Sequence, residues 1–123
     1  MGIEVVVDRF FAAIEACDVE ALQAVYSDDA GIWHNFTDRT QTKQENIARL
    51  SEARALGTLK YEVLERIVVG DRVIQRHIVR IKTEGNRETL LHAALFITVR
   101  AGKIVHIHEY LDSRQMVLAL ERG

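Results

Sequence analysis

Residues 102–112 read GKIVHIHEYLD and predict the strand on which the rest of the fold depends. Alternate residues of a strand point to opposite faces of a sheet. One predicted row is Val105, Ile107, Glu109 and Leu111, and the other is His106, His108, Tyr110 and Asp112. The first row is apolar apart from one carboxyl group. It predicts a pocket wall in which Ile107 and Leu111 contact a ligand and Glu109, poorly hydrated, exchanges a proton near neutrality.

The composition describes an ordinary globular chain. It has 123 residues, 48% hydrophobic and 28% charged, with a net charge of −2, which predicts one domain over residues 1–123. Basic residues are scattered, which argues against a nucleic-acid partner. The first residues do not resemble a secretory signal, and no apolar window approaches the roughly 18 residues of a membrane span. Cys17 is the only cysteine, which excludes an internal disulfide and favours the cytoplasm.

The first half of the chain has mostly helical spacing. Residues 30–36 are aromatic and branched and predict a short strand, whereas the polar residues 35–42 predict a loop. Three helices are predicted around them: Ile3 to Ala16, a second capped by Asp18, and a third capped by Thr42 and Glu45 and ended by Gly57.

The second half has strand character. Its segments alternate, are rich in Val, Ile and Leu, and are separated by short turns containing Gly, Asn or Asp. The predicted strands cover residues 60–69, 72–83, 87–100 and 102–112, and residues 113–120 predict a short closing helix. This order predicts an α+β fold: a cone-shaped, curved antiparallel meander packed against three N-terminal helices, with a pocket between sheet and helices.

Several stretches resemble one family. They are Asp8–Phe11, Cys17–Leu22, Tyr26–Ala30, Val99–Ile104 and Glu109–Asp112. In them the chain resembles the nuclear transport factor 2-like superfamily, in its SnoaL-like and ketosteroid-isomerase-like branch. The resemblance covers nearly the whole chain and implies the cone fold. It leaves the reaction open, because the fold hosts isomerases, cyclases, dehydratases, epoxide hydrolases and non-enzymes.

The resemblance to ketosteroid isomerases and polyketide cyclases implies two proton-handling residues. Phe10 stands where ketosteroid isomerases have a tyrosine donor, so that donor is missing, and His34 stands at the position of their carboxylate base. SnoaL-like cyclases use an acidic residue on the closing strand. Glu109 or Asp112 matches it, and alternation favours Glu109, with Asp112 as a helix cap.

The resemblance to limonene-epoxide-hydrolase-like proteins implies further pocket residues. Glu109 takes the position of the acid and Arg76 that of the arginine, whereas Ile78 falls where a second aspartate would stand. The tyrosine and asparagine of that family match Ile32 and His34, or, with a shift of one residue, Trp33 and Asn35. The predicted substrate-binding residues are therefore Trp33, Asn35, Arg76, Ile107 and Leu111.

These observations favour a cofactor-independent isomerase, lyase or hydrolase that uses His34 and Glu109 for acid/base chemistry. The expected substrate is a small hydrophobic molecule that is polyketide-, steroid- or terpene-like. The alternative is a non-catalytic ligand-binding or dimeric assembly module. His106 and His108 have metal-ligand spacing, but no third ligand is fixed by spacing, so neither a metal nor another cofactor is expected. The resemblance implies a homodimer through the outer sheet face, and Phe96, Tyr110 and these histidines suit such an interface.

Overall fold

Three helices and a six-stranded sheet make up the part of the chain that the computed structural model describes, which is residues 2–83, 85 and 87–115. The helices are α1 (Ile3–Ala16), α2 (Val19–Val25) and α3 (Lys43–Leu56). The strands are β1 (Tyr26–His34), β2 (Arg39–Thr42), β3 (Gly57–Val69), β4 (Arg72–Thr83), β5 (Glu88–Arg100) and β6 (Lys103–Leu111). Most of the predicted closing helix, from residue 116 onward, lies outside the described residues.

The predicted helix caps are confirmed. The Asp18 carboxylate accepts a hydrogen bond from the Ala21 N–H at 3.0 Å. At the start of α3, the Thr42 hydroxyl accepts from the Glu45 N–H at 3.2 Å, and the Glu45 carboxylate accepts from the Thr42 N–H at 3.0 Å. This reciprocal pair satisfies two backbone donors that a helix start otherwise leaves without partners. Gly57 ends α3, as its position predicted.

The sheet is curved and unclosed, with strand order β2-β1-β6-β5-β4-β3, which confirms the α+β prediction and the antiparallel meander of its last four strands. Strand β1 pairs in parallel with β6 and antiparallel with β2. The prediction of a loop over residues 35–42 is wrong in its second half, because Arg39–Thr42 pairs with the end of β1. Strand β1 also begins earlier than predicted, at Tyr26, and its pairing with β6 is irregular between Tyr26 and Gly31.

The core lies between α1 and the inner face of the sheet. Val6, Val7, Phe10 and Phe11 are at most 7% exposed on the side of α1 that faces the strands. Opposite them lie the inward rows of β4, β5 and β6: Val73, Val79, Leu91, Leu95, Ile97, Ile104 and Ile107. Each such side chain contributes about 1.5–3 kcal/mol by leaving water, so this layer is the main stabilising contact of the fold.

A bulge interrupts the alternation of β6. Val99 pairs with Ile104 and Thr98 with His106, so Val105 is an extra residue on β6. Ile104 is therefore buried, whereas Val105 lies with His106 and His108 along a groove on the other side of the sheet. The predicted inward position of Val105 is wrong for this reason, since one inserted residue reverses the faces that precede it. After the bulge, Ile107, Glu109 and Leu111 share the inner face.

None of the described helices is long and apolar enough to cross a lipid bilayer.

The start of β3 offers a test of this packing. A β-carbon at Gly57 would overlap the backbone carbonyl of Lys82 on β4, which no side-chain movement relieves. Gly57→Ala should lower the free energy of unfolding by about 1–3 kcal/mol, measured by urea denaturation. Gly2→Ala is the control, since nothing lies within 4 Å of its β-carbon position. Equal stability of the two variants would contradict the close approach of β3 to β4.

Candidate functional site

A small cavity of about 40 Å³ lies between the inner face of the sheet and helices α1 and α3. Most of its wall is apolar and aromatic, with a few polar groups directed into it. The lining residues are Phe10, Phe11, Ile14, Tyr26, Ile32, His34, Asn46, Leu50, Tyr61, Leu95, Ile107 and Glu109. An apolar pocket with few converging polar groups is the usual form of a small-molecule site.

His34 and Glu109 form the ionisable pair of this wall. His34 Nε2 lies 3.0 Å from Glu109 Oε1, and their side chains are 14% and 17% exposed, so the pair is mostly buried but open to small molecules. Strands β1 and β6 run in parallel with His34 opposite Glu109 in the register, and this places both side chains on one face. The pair can therefore share one proton and exchange it with a ligand in the cavity.

His77 lies directly behind this pair on β4. Its side chain is fully buried, and its Nε2 is 3.8 Å from Glu109 Oε2. Burial lowers the pKa of His77 and the negative charge of Glu109 opposes this shift only in part, so the net direction is downward. The ring is therefore neutral at pH 7.

Two tyrosines complete the polar part of the wall. Burial, helped by the nearby charge of Glu109, raises the pKa of both Tyr26 and Tyr61, so each keeps its hydroxyl proton. Tyr26 donates to Asn46 Oδ1 at 2.6 Å, and Asn46 Nδ2 donates to Gln41 Oε1 at 3.1 Å. Burial thus keeps Tyr26, Tyr61 and His77, the other ionisable groups near Glu109, neutral.

The sequence-predicted residues divide into two sets. His34, Glu109 and Ile107 line the cavity. Leu111 is buried on the same face of the sheet but does not line the cavity. The Asn35 Oδ1 accepts a hydrogen bond from the Leu111 N–H at 2.8 Å, and the Asn35 Nδ2 donates to the Leu111 carbonyl at 3.1 Å. Asn35 therefore holds β1 to β6 and does not face the cavity.

Trp33 and Arg76 lie on the other side of the sheet, which corrects their assignment to the pocket. The Trp33 indole donates to Asp38 at 3.0 Å, and its ring contacts those of His108 and Tyr110. Arg76 is 58% exposed and binds Glu65 at 3.0 Å. Both errors have one cause, since a shift of one residue along a strand moves every side chain to the opposite face. Of the two predicted alternatives on β1, Ile32 and His34 line the cavity.

Sequence reasoning missed Gln75 and His77, which are 1% exposed on the inner face of β4. The signal was present, because Val73, Gln75, His77 and Val79 form one alternating row that begins and ends in valine. Tyr26 and Tyr61 were also missed, and no spacing in the sequence places them beside Glu109. The pair His106 and His108 lies on the outer face, and no group of three potential metal ligands occurs among the residues that the structure describes.

Comparison with known proteins finds one matching family model and solved structures with the same fold. The family model of the SnoaL-like domain matches residues 7–107. IdmH from Streptomyces antibioticus, a proposed polyketide cyclase, is 17% identical with a TM-score of 0.86, and the match covers 98% of this chain and 99% of that chain. No curated protein matches this chain.

Two further solved structures have the same fold. A proposed SnoaL-like polyketide cyclase from Shewanella denitrificans OS-217 is 11% identical with a TM-score of 0.84, covering 98% of both chains. An LEH-like epoxide hydrolase from M. tuberculosis is 18% identical with a TM-score of 0.79, covering 96% of this chain and 88% of that chain. At these identities the likeness shows the fold alone.

The hydrogen bond between Tyr26 and Asn46 supports a stability prediction. Tyr26→Phe leaves the Asn46 oxygen buried without its donor and should lower the free energy of unfolding by about 1–3 kcal/mol, measured by urea denaturation. Thr58→Val is the control, because it also removes one hydroxyl but at an exposed residue on β3, so its change should stay within about 0.5 kcal/mol. Equal effects would show that the buried hydrogen bond does not hold α3 to the sheet.

Proposed function

Because this chain belongs to the SnoaL-like domain family, within the nuclear transport factor 2-like superfamily, we propose that it is a cofactor-independent enzyme acting on a small hydrophobic molecule. The substrate class is polyketide-, steroid- or terpene-like, and the reaction is an isomerisation, cyclisation, dehydration or hydrolysis. One observation carries the proposal. His34 and Glu109 meet at 3.0 Å in the wall of an otherwise apolar and neutral cavity.

The geometry gives each member of the pair a role. Glu109 Oε1 is engaged by His34, whereas Oε2 is not hydrogen-bonded to it and serves as the atom that takes a proton from the substrate or from water. Glu109 then returns that proton to the product, while the Nε2–H of His34 stays hydrogen-bonded to Oε1 and balances the change of charge on the carboxyl group. All four reaction types need one group that removes a proton and one that restores it, which a single hydrogen-bonded pair supplies.

The size of the cavity bears on this proposal. Pockets for drug-sized ligands usually enclose about 300 Å³ or more, whereas the volume here is about 40 Å³. A substrate of the proposed class therefore needs the wall to open. We propose that α3 moves, because Leu50 lines the cavity from this helix while its end is loosely covered, with Leu56 61% exposed.

The same small volume favours the second candidate function, a non-catalytic module. In that case the buried pair would be a structural ion pair or would contact a bound ligand without proton transfer. The first candidate predicts turnover that depends on His34 and Glu109, whereas the second predicts ligand binding without turnover.

The test compares wild type, His34→Gln and Glu109→Gln on a panel of small ketones, lactones and epoxides. Glutamine keeps a hydrogen bond at either position but cannot shuttle a proton, so kcat should fall about 10²–10⁴-fold in both variants. His92→Gln is the control, because its side chain is exposed on β5. Urea denaturation and circular dichroism establish that each variant is folded. Ligand binding without turnover in wild type would favour the non-catalytic module, whereas full turnover in both variants would contradict the proposed role of His34 and Glu109.

We propose further that a second copy of the chain covers the outer face of the sheet. Phe96 is 38% exposed and Tyr110 49%, and the Tyr110 ring contacts those of Phe96 and Trp33, which forms an exposed aromatic cluster. Such clusters are enriched at protein interfaces.

The cellular compartment that we propose is the cytoplasm, because the chain has a single cysteine and so no internal disulfide.

Analytical ultracentrifugation tests the dimer. Wild type should sediment as a dimer at micromolar concentration, and Tyr110→Asp should shift it to a monomer by placing a charge in the aromatic cluster. Leu56→Asp, a control at an exposed leucine on α3, should leave the dimer intact. A monomeric wild type would contradict the assignment of this face.

A further inference from the structure

His77 has a buried nitrogen that the function proposed above does not use. Its Nε2 has no hydrogen-bond partner among the described residues, although the residue is only 1% exposed. The rings of Phe11 and Tyr61 pack edge-on against it, with centroids 5.3 and 5.1 Å away. Buried ring nitrogens are normally hydrogen-bonded, so an atom without a partner calls for a physical reason.

The other ring nitrogen shows which atom carries the proton. Arg66 Nε donates to Gln75 Oε1 at 2.8 Å, and this fixes the orientation of the Gln75 amide. Gln75 Nε2 therefore lies toward His77, 2.9 Å from Nδ1. An amide nitrogen is only a donor, so Nδ1 must accept and cannot carry a hydrogen. The neutral ring consequently has its proton on Nε2, the atom that lies nearest to Glu109.

The orientation of Arg66 is fixed in turn by α1. Its guanidinium binds Asp8 at 2.7 Å and lies 3.6 Å from Glu4, and its side chain is only 13% exposed. A continuous set of contacts thus runs from the first helix through Arg66 and Gln75 to His77. Each contact has one orientation, because a guanidinium and an amide N–H only donate and carboxylates and the amide oxygen only accept.

We propose that His77 is a positioning residue, whose Nε2–H, held in this tautomer by Gln75, is directed at Glu109 Oε2 and orients the carboxylate toward the cavity. The present separation is 3.8 Å, so a movement of about 1 Å brings the atoms to hydrogen-bonding distance. The inference rests on the proposed role of Glu109 as the group that exchanges protons. It adds that both carboxylate oxygens have an imidazole beside them, one from His34 and one from His77.

The surroundings of His77 agree with a neutral donor. The groups that face it are the carboxylate of Glu109 from β6, the protonated hydroxyl of Tyr61 from β3, the ring of Phe11 from α1 and the amide of Gln75 on its own strand. Glu109 is the one charge among them. Burial still outweighs it, and the pKa of His77 is lowered. The ring should therefore stay neutral at pH values where an exposed histidine gains a proton, near 6.5.

The first test is ¹⁵N NMR of the histidine rings in the full chain, which needs no substrate. Wild-type His77 should show a protonated Nε2 and an unprotonated Nδ1, and should titrate below the ordinary histidine value of about 6.5. Gln75→Glu should reverse the tautomer or charge the ring, because a carboxylate at this position accepts a hydrogen from Nδ1. A wild-type ring protonated on Nδ1 near pH 7 would overturn the inference, whatever the variants do.

The second test measures the link between His77 and Glu109. Glu109→Gln removes the negative charge that favours the imidazolium, so the titration midpoint of His77 should fall further than in wild type. An unchanged His77 midpoint would show that the two groups do not interact, and would overturn the positioning role. Both measurements are independent of turnover, so they can fail or succeed separately from the proposed enzyme function.

With a substrate in hand, kinetics give a third readout. His77→Leu removes the donor and should lower kcat about ten- to a hundredfold with little change in KM. His77→Gln places an amide N–H near the position of Nε2 and should recover most of that loss. A loss of kcat that His77→Gln does not recover, in a variant whose urea midpoint matches wild type, would contradict a role based on hydrogen-bond donation.

Discussion

The parallel pairing of β1 with β6 is the contact on which the candidate site depends. It brings together two strands that are separated by about 70 residues of chain, and it places His34 opposite Glu109. The backbone and one side chain fix this register at the ends of both strands: the Asn35 N–H donates to the Glu109 carbonyl at 3.1 Å, and the Asn35 amide binds the Leu111 backbone. Asn35, expected from the resemblance to contact substrate, instead holds the acid/base pair in alignment.

The inner face of the sheet places one carboxylate, that of Glu109, beside an apolar core. Isolated burial of a charge is costly, and the cost falls when hydrogen-bond donors face the charge. The ionisable groups near Glu109 are two tyrosines that keep their hydroxyl protons, His77 with a lowered pKa, and His34 at 3.0 Å. Fixed cations such as Arg66 and Arg76 lie farther out and pair with other acids. Among the described residues, the Glu109 carboxylate therefore has one partner at hydrogen-bonding distance, His34 at 3.0 Å, and no ion pair with a lysine or arginine.

The sequence predicted most of the elements and that His34 and Glu109 lie in one pocket wall, but it did not predict how the strands come together. Helix caps depend on residues three positions apart, so Asp18 and the Thr42–Glu45 pair were readable locally. The parallel contact of β1 with β6 is non-local and has no signature in either strand. The bulge at Val105 placed this residue on the outer face of the sheet. On β4, Gln75 and His77 are buried on the inner face, so Arg76 between them lies on the outer face. Which face of the sheet a residue occupies is set by strand pairing and burial. An alignment to a distant family that is uncertain by one residue cannot predict that face.

The small volume of the cavity and the polarity of its wall have to be explained together. A wall kept only for stability would gain from replacing a His–Glu pair with apolar residues, because buried ion pairs rarely stabilise more than a well-packed hydrophobic substitute. Here the pair is present and partly exposed, and a chain of oriented contacts that begins at α1 ends at His77, 3.8 Å from Glu109. The element that closes the cavity, α3, is in contrast mostly polar and half exposed, with Ile47 as its one fully apolar buried residue in the described part of the helix. Opening the cavity by a movement of α3 would cost little buried apolar area, and the buried hydrogen bond between Tyr26 and Asn46 is a contact that such a movement has to break.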